Sequence, residues 1–208
     1  AKKINKIIIC TSTNKQDNPL EDIAKKEKID FYRGSENDVL QRLLNTAKKF
    51  NLNYFANITA DIPMIDPFLI DQSLEEYEKK IPDLLVPEAY SFGACMVIKV
   101  SSLEKVCKIK KETNTEAWLK FFKSQKDFYI HSFKVANENK HKFLKTSLDY
   151  PEDYTFIKRI FDELHKLEYF FRNKDIIDLV KKNPNLLKIN SDKQHLQRWH
   201  NHISKLSN

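Results

Sequence analysis

Between residues 6 and 80, short apolar runs alternate with stretches whose apolar residues recur every three to four positions, and few folds accommodate that alternation. Residues 6–10, centred on Ile7-Ile8-Ile9, read as a buried strand leading into the polar turn Thr11-Ser12-Thr13-Asn14. Pro19 opens a short helix over 20–27, because the fixed φ of proline suits a first helical turn. Residues 30–33 form a strand ending at Gly34. Ser35 and Asp38 make a capping-box-like pair ahead of a helix that runs to about Phe50. Its apolar stripe is Val39, Leu40, Leu43, Leu44 and Ala47. Residues 54–59 are the next strand, and Pro67 starts a helix carrying Leu69, Ile70 and Leu74. Such an order predicts parallel strands joined by helical crossovers.

The middle of the chain is richer in strands, at 83–87, 94–100, 128–135 and 143–149, and predicts added mixed or antiparallel pairing. Ser101 is expected to cap a short helix over 103–107, and 115–122 reads as helical. Pro151 sits at the first position of a helix with the stripe Tyr154, Ile157, Ile160, Phe161 and Leu164. Two more helices are expected near 175–182 and 194–206. The last carries His195, Trp199, His200 and His202 and suits a partner or loose docking. With no repeat and no low-complexity linker, the expectation is one α/β domain over 1–190 and a C-terminal helix over 191–208.

Composition removes several classes of function. Hydrophobic residues make up 41% of the 208, enough for a core, and argue against disorder. The formal net charge of +7 comes from lysines spread among acids, without the arginine–aromatic interleaving of single-strand binders. A solvated lysine-rich surface is expected rather than a nucleic-acid face, and the positive field suits an anionic substrate. The three cysteines, Cys10, Cys95 and Cys107, show no Cys-x-x-Cys spacing, so neither a disulfide framework nor a zinc knuckle is indicated. No apolar run approaches eighteen residues, and a soluble cytoplasmic protein is expected. With only Gly34 and Gly93 available, neither G-x-G-x-x-G nor the Walker loop can be written. Phosphate must then be held by side chains, a metal or helix N-termini.

In an open parallel sheet, ligands gather where strands end. Four places qualify. Asp61 comes just after Thr59 and the 54–59 strand, and Pro63 and Pro67 stiffen the segment downstream of it. A carboxylate fixed there suits Mg²⁺, which takes one or two carboxylates together with phosphate and water oxygens. An Asx-turn is the plain alternative. Asp66 reads as the cap of the next helix. Asp149 repeats the pattern in Leu148-Asp149-Tyr150-Pro151, while Glu152 and Asp153 read as first-turn acids favoured by the helix dipole. Two such carboxylates can meet around one metal. Arg33-Gly34-Ser35-x-x-Asp38-Val39-Leu40-x-Arg42 offers an arginine fork at the mouth of the sheet, although Asp38 alone reads equally as a cap and Arg42 as a solvated side chain. Thr11 and Ser12 offer hydroxyls for a base or ribose, or serve only the turn. The histidines have neither His-x-Glu nor His-Glu-x-x-His spacing, and no Gly-x-Ser-x-Gly elbow occurs.

Taken together, these stretches resemble the cytidylyltransferase family that includes acylneuraminate and 3-deoxy-manno-octulosonate cytidylyltransferases, nearest to its spore-coat polysaccharide group. Asn183-Pro184-Asn185-Leu186 and Ile189-Asn190 extend the match, which covers nearly the whole chain. The resemblance implies a three-layer α/β/α domain with a mostly parallel, mixed sheet of nucleotide-diphospho-sugar transferase type. It also implies CTP as donor, a nonulosonic or octulosonic sugar acid as acceptor, pyrophosphate as product and a homodimer. Asp61 and Asp149 match the aspartates that hold Mg²⁺. Thr11, Ser12, Thr59 and the Arg33–Arg42 stretch, with Gly34, Ser35 and Asp38, match the nucleotide and sugar cleft. The family's basic loop A-R-x-x-S-x-R-x-P-G-K has no counterpart here, and residues 1–10 align with the family's second strand, beyond that loop. A module that binds a sugar, nucleotide or protein without turnover is therefore the alternative expectation.

Overall fold

The computed structural model describes residues 1–88, 92–165 and 170–191. The chain runs β1 (Ile8–Ser12), α1 (Asn18–Lys26), β2 (Asp30–Gly34), α2 (Val39–Lys49), β3 (Tyr54–Asn57), α3 (Pro67–Lys80) and β4 (Leu84–Pro87). It continues through β5 (Met96–Lys99), α4 (Val100–Ile109), α5 (Leu119–Lys123), β6 (Ile130–Phe133), α6 (Pro151–Leu164) and α7 (Asn173–Lys182). The helix expected at 194–206 lies outside the described residues.

Among the described residues the strands form two sheets. β1 and β2 pair in parallel, with Ile8 opposite Asp30 and Ser12 opposite Gly34. The other four lie in the order β3-β5-β4-β6. β5 runs antiparallel to both β3 and β4, whereas β4 and β6 are parallel. The sheet structure is thus mixed, as expected, with β3 in the second sheet rather than beside β1 and β2.

Alternation along the strands shows why helices lie on both faces. Leu84, Val86 and Ile98 point into a core with Leu40 and Leu44 of α2, Leu103 and Val106 of α4, and Phe122 of α5. Their neighbours Leu85 and Val97 point the other way, against Leu69, Ile70, Leu74 and Tyr77 of α3. A strand buried on both faces needs a helical layer above and below, which is the three-layer α/β/α arrangement. A third core joins α6 and α7 through Phe156, Ile157, Ile160, Ile176, Ile177 and Val180, with Leu144 beneath.

Several elements differ from the sequence reading. β1 extends to Ser12, so Thr11 and Ser12 belong to the strand and are buried. α4 begins at Val100 and not after Ser101 as cap; the Ser102 hydroxyl instead bonds Asp83. Thr115 lies outside α5 and donates to Asp38, while its hydroxyl oxygen accepts from the Leu40 N–H. Residues 143–149 form no strand, because Leu148 makes its backbone bond to the turn at Asp61 rather than to a ladder. The buried face of α6 is Asp153, Phe156, Ile157, Ile160 and Leu164, leaving Tyr154 exposed. The helix has turned its aromatic edge outward to bury a carboxylate.

Candidate functional site

At the end of β3, the chain turns through Thr59, Ala60 and Asp61, all exposed. The Ile62 N–H closes the turn on the Thr59 carbonyl at 3.2 Å. The Leu148 N–H donates to the Asp61 carbonyl at 2.7 Å, so the segment carrying Asp149 lies directly against this turn. Two aspartates 88 positions apart in the chain therefore lie on adjoining segments.

Behind Asp149 lies a charge network. The Lys145 ammonium, only 3% exposed, sits 2.8 Å from Asp149 Oδ2 and pairs also with Asp153, whose side chain is 2% exposed. Burial of a charge in a low-dielectric interior is tolerated only when it is paired and hydrogen-bonded, and Asp153 meets that condition. Its Oδ2 accepts from the backbone N–H groups of Asp149 at 3.1 Å and Tyr150 at 3.0 Å, and its Oδ1 accepts from Asn190 Nδ2 at 2.9 Å. Asp149 keeps 44% of its side chain in solvent, and its Oδ2 accepts also from the Ser147 hydroxyl at 2.8 Å. Asp153 does occupy the first turn of α6, but it is a buried ion-pair partner and not merely a solvated dipole-compensating acid. Lys145 had no role in the sequence reading. Its only signal is the spacing Lys145, Asp149, Asp153, four residues each, across a segment expected to be a strand.

The Thr11–Arg42 stretch behaves differently. Ser12 Oγ donates to Asp17 Oδ2 at 2.5 Å and Thr11 Oγ1 to the same oxygen at 2.9 Å. These donors hold the Asp17 carboxyl below its ordinary 3.8. Arg33 donates from Nε to the Ser12 carbonyl, from Nη2 to the Asn14 carbonyl, and from Nη1 to Asn18 and Glu21. Its fork is thus spent on the loop after β1. Gly34 has its reason in space: a Cβ there would meet Tyr32 Cε1 at 2.9 Å and Arg42 Cγ at 3.0 Å. Arg42 donates to the Ser35 carbonyl at 2.7 Å. Asp38 caps α2 by accepting from Gln41 N–H and is ion-paired to Lys110, which is 7% exposed. Ser35 Oγ accepts from the Asp38 N–H at 3.0 Å, completing the local turn. Asp66 caps α3 as expected, and its second oxygen accepts from Asn173 N–H at 2.9 Å, tying α3 to α7.

The donor chemistry on the Asp61–Asp149 rim fits Mg²⁺. Among the described residues no cluster of three or more His, Cys, Asp or Glu side chains could hold a metal. Mg²⁺ does not need one, since one or two carboxylates supplemented by substrate phosphates and water suffice. Oxygen donors alone, exposed at the rim, match that demand. Two of the thiols are unsuited to nucleophilic work: burial pushes Cys95 up to about 12 and Cys107 up to about 11. Among the described residues no helix is long and apolar enough to cross a membrane.

A mixed sheet covered by helices on both faces fits an α/β nucleotidyltransferase-like fold. Two solved structures share it. A cytidylyltransferase from Leptospira borgpetersenii superposes with a TM-score of 0.78 at 24% identity, over 89% of this chain and 79% of that one. A CMP:2-keto-3-deoxy-manno-octonic acid synthetase complexed with CTP gives a TM-score of 0.58 at 10% identity, over 77% of this chain and 82% of that one. The chain belongs to the cytidylyltransferase family, whose model matches residues 1–185. Among its relatives are uncharacterized protein MJ1063 of Methanocaldococcus jannaschii, 27% identical over 92% of this chain and 79% of that protein, and spore coat polysaccharide biosynthesis protein SpsF of Bacillus subtilis, 23% identical over 86% and 75%.

Proposed function

We propose that this protein activates an acidic sugar of the nonulosonic or octulosonic type by transferring CMP from CTP, with release of pyrophosphate. The observation that supports the proposal is the 2.7 Å bond from Leu148 N–H to the Asp61 carbonyl, which brings together the segments that carry Asp61 and Asp149. Family membership supports the nucleotidyl transfer, and the CTP in the octonic acid synthetase complex supports the choice of nucleotide.

In this reading Asp61 and Asp149 would hold Mg²⁺ against the triphosphate. When bound, the metal supplies neutralisation of the charge that develops on the phosphate oxygens. The residues of the chain do the rest. Asp61 and Asp149 would hold the cation at the rim, and the acceptor hydroxyl would be oriented toward the α-phosphorus by the surrounding cleft. That hydroxyl gives up its proton to solvent and forms the new P–O bond as the bond to the pyrophosphate oxygen breaks, and no covalent enzyme intermediate is required. Thr59, at the base of the Asp61 turn, lies within the same surface. Thr11, Ser12, Gly34, Ser35, Asp38 and Arg42 shape the nucleotide and sugar cleft, and Arg33 acts through the loop it braces. The protein is proposed to work in the cytoplasm and as a homodimer.

The test is pyrophosphate release from CTP and Mg²⁺ in the presence of 3-deoxy-manno-octulosonate or a nonulosonic acid. Release that depends on the sugar acid and collapses in Asp61→Asn and Asp149→Asn is expected. Arg33 favours a second reading, because its fork is taken up by the loop after β1 and by Glu21 of α1. In that reading the domain binds sugar or nucleotide without turnover, and calorimetry would show binding with no pyrophosphate formed.

A further inference from the structure

We infer that Lys145 is a built-in counter-cation that holds down the affinity of the Asp61–Asp149 rim for free divalent metal, so that the metal enters only together with a polyphosphate. The inference rests on the proposed reading in which these two carboxylates hold the metal.

The argument begins with burial. A lysine side chain 3% exposed has given up nearly all of its hydration, and it does so beside a carboxylate that remains 44% in solvent. Asp153, itself 2% exposed, already gives the ammonium a complete buried partner. A second contact to the exposed Asp149 is therefore more than the ammonium needs for its own stability. It also changes Asp149. The Lys145 ammonium at 2.8 Å and the Ser147 hydroxyl at 2.8 Å both converge on Oδ2. One carboxylate then faces a positive charge on its protein side and offers the rim a diminished negative field.

Two effects of Lys145 on metal binding oppose each other. By restricting Asp149 it lowers the entropy lost when a ligand is ordered, a gain bounded by the rotamer freedom of one short side chain. By placing a unit charge one carboxylate away from a divalent ion, it repels that ion across a partly buried path with a low effective dielectric. The repulsion is the larger effect, because it scales with the doubled charge of the metal and is poorly screened by salt at this depth. A metal that arrives carrying triphosphate oxygens brings its own negative charge and meets a favourable field from the same ammonium. Lys145 thus discriminates between a bare cation and a cation–polyphosphate complex.

The experiment uses the whole chain and Mn²⁺ as probe, monitored by electron paramagnetic resonance of the free ion. Wild type, Lys145→Met, Lys145→Arg and Asp149→Asn are titrated with and without tripolyphosphate. Lys145→Met should bind bare Mn²⁺ at least about tenfold more tightly than wild type. Lys145→Arg should behave as wild type, and adding Asp149→Asn to Lys145→Met should abolish the gain. Equal or weaker Mn²⁺ binding in Lys145→Met overturns the inference. If Mn²⁺ binding is unaffected by Asp149→Asn in every background, the metal reading itself has failed, and the inference falls with it for a distinguishable reason. Should Lys145→Met not fold, Lys145→Gln removes the charge while keeping a hydrogen-bond donor toward Asp149 and Asp153, and is read by the same criteria.

Discussion

The rim at Asp61 and Asp149 and the stretch from Thr11 to Arg42 contain the same kinds of residue, yet they spend them differently. In the Thr11–Arg42 stretch the polar atoms face one another. Thr11 and Ser12 close on Asp17, Arg33 closes on two carbonyls and two side chains, and Asp38 closes on its helix and on Lys110. At the rim the network is layered. Lys145, Asp153 and Asn190 are buried and satisfied, and they support an aspartate that remains partly in solvent. Polar residues at strand ends therefore divide into those that build loops and those that the loops present. Sequence spacing does not distinguish the two.

The largest expected effect falls on the rim's buried layer. Asp153→Ala removes the main buried partner of Lys145 and the acceptor for two backbone N–H groups, and should cost about 3–5 kcal/mol in urea unfolding. Next is Asp61→Asn, which should lower sugar-acid-dependent pyrophosphate release by roughly 100-fold or more while leaving the urea midpoint unchanged, since the side chain is exposed. Unchanged turnover there would break the comparison at its functional side. In the other region, Asp38→Ala should cost about 2 kcal/mol of stability through the lost cap and the stranded Lys110. Arg33→Ala should cost about 1–2 kcal/mol by loosening the loop over 12–18, and its effect on turnover should track that loosening.

The smallest effect concerns pH. Asp17 has a folded-state carboxyl held below its ordinary value by donors from Ser12 and Thr11. A depressed acid stabilises the fold above the unfolded value and loses that contribution as pH falls through the folded value. Stability measured from pH 6 downward should therefore fall below about pH 4, and Asp17→Asn should be less stable than wild type near neutrality and lose less stability than wild type across that window. A flat wild-type curve there would show that the Ser12–Asp17 closure is not maintained in solution.

Much of this molecule was readable from residue order. The periodic stripes placed α2, α3 and α7 within a few residues, because an amphipathic helix must repeat its apolar face whatever it packs against. Pro67 and Pro151 marked helix starts, and Asp66 and Asp38 were recognisable as caps, since both signals are local. That Asp61 and Asp149 could meet around one metal was an expectation from their position ahead of prolines; the structure joins their segments through the Leu148–Asp61 backbone bond, although no strand precedes Asp149.

What residue order alone did not determine was which polar side chains would be used up. The extended segment over 143–149 looked like a strand, and only its docking on the Asp61 turn removed it from any ladder. Lys145 looked like one of many solvated lysines until α6 buried Asp153 beside it. Arg33 looked like an anion clamp until the loop after β1 folded back onto its fork. Helices and caps are set by neighbours within four residues, so they are written in the sequence. The fate of a charge depends on the dielectric and partners supplied by segments far away in the chain, and only the tertiary structure assembles those.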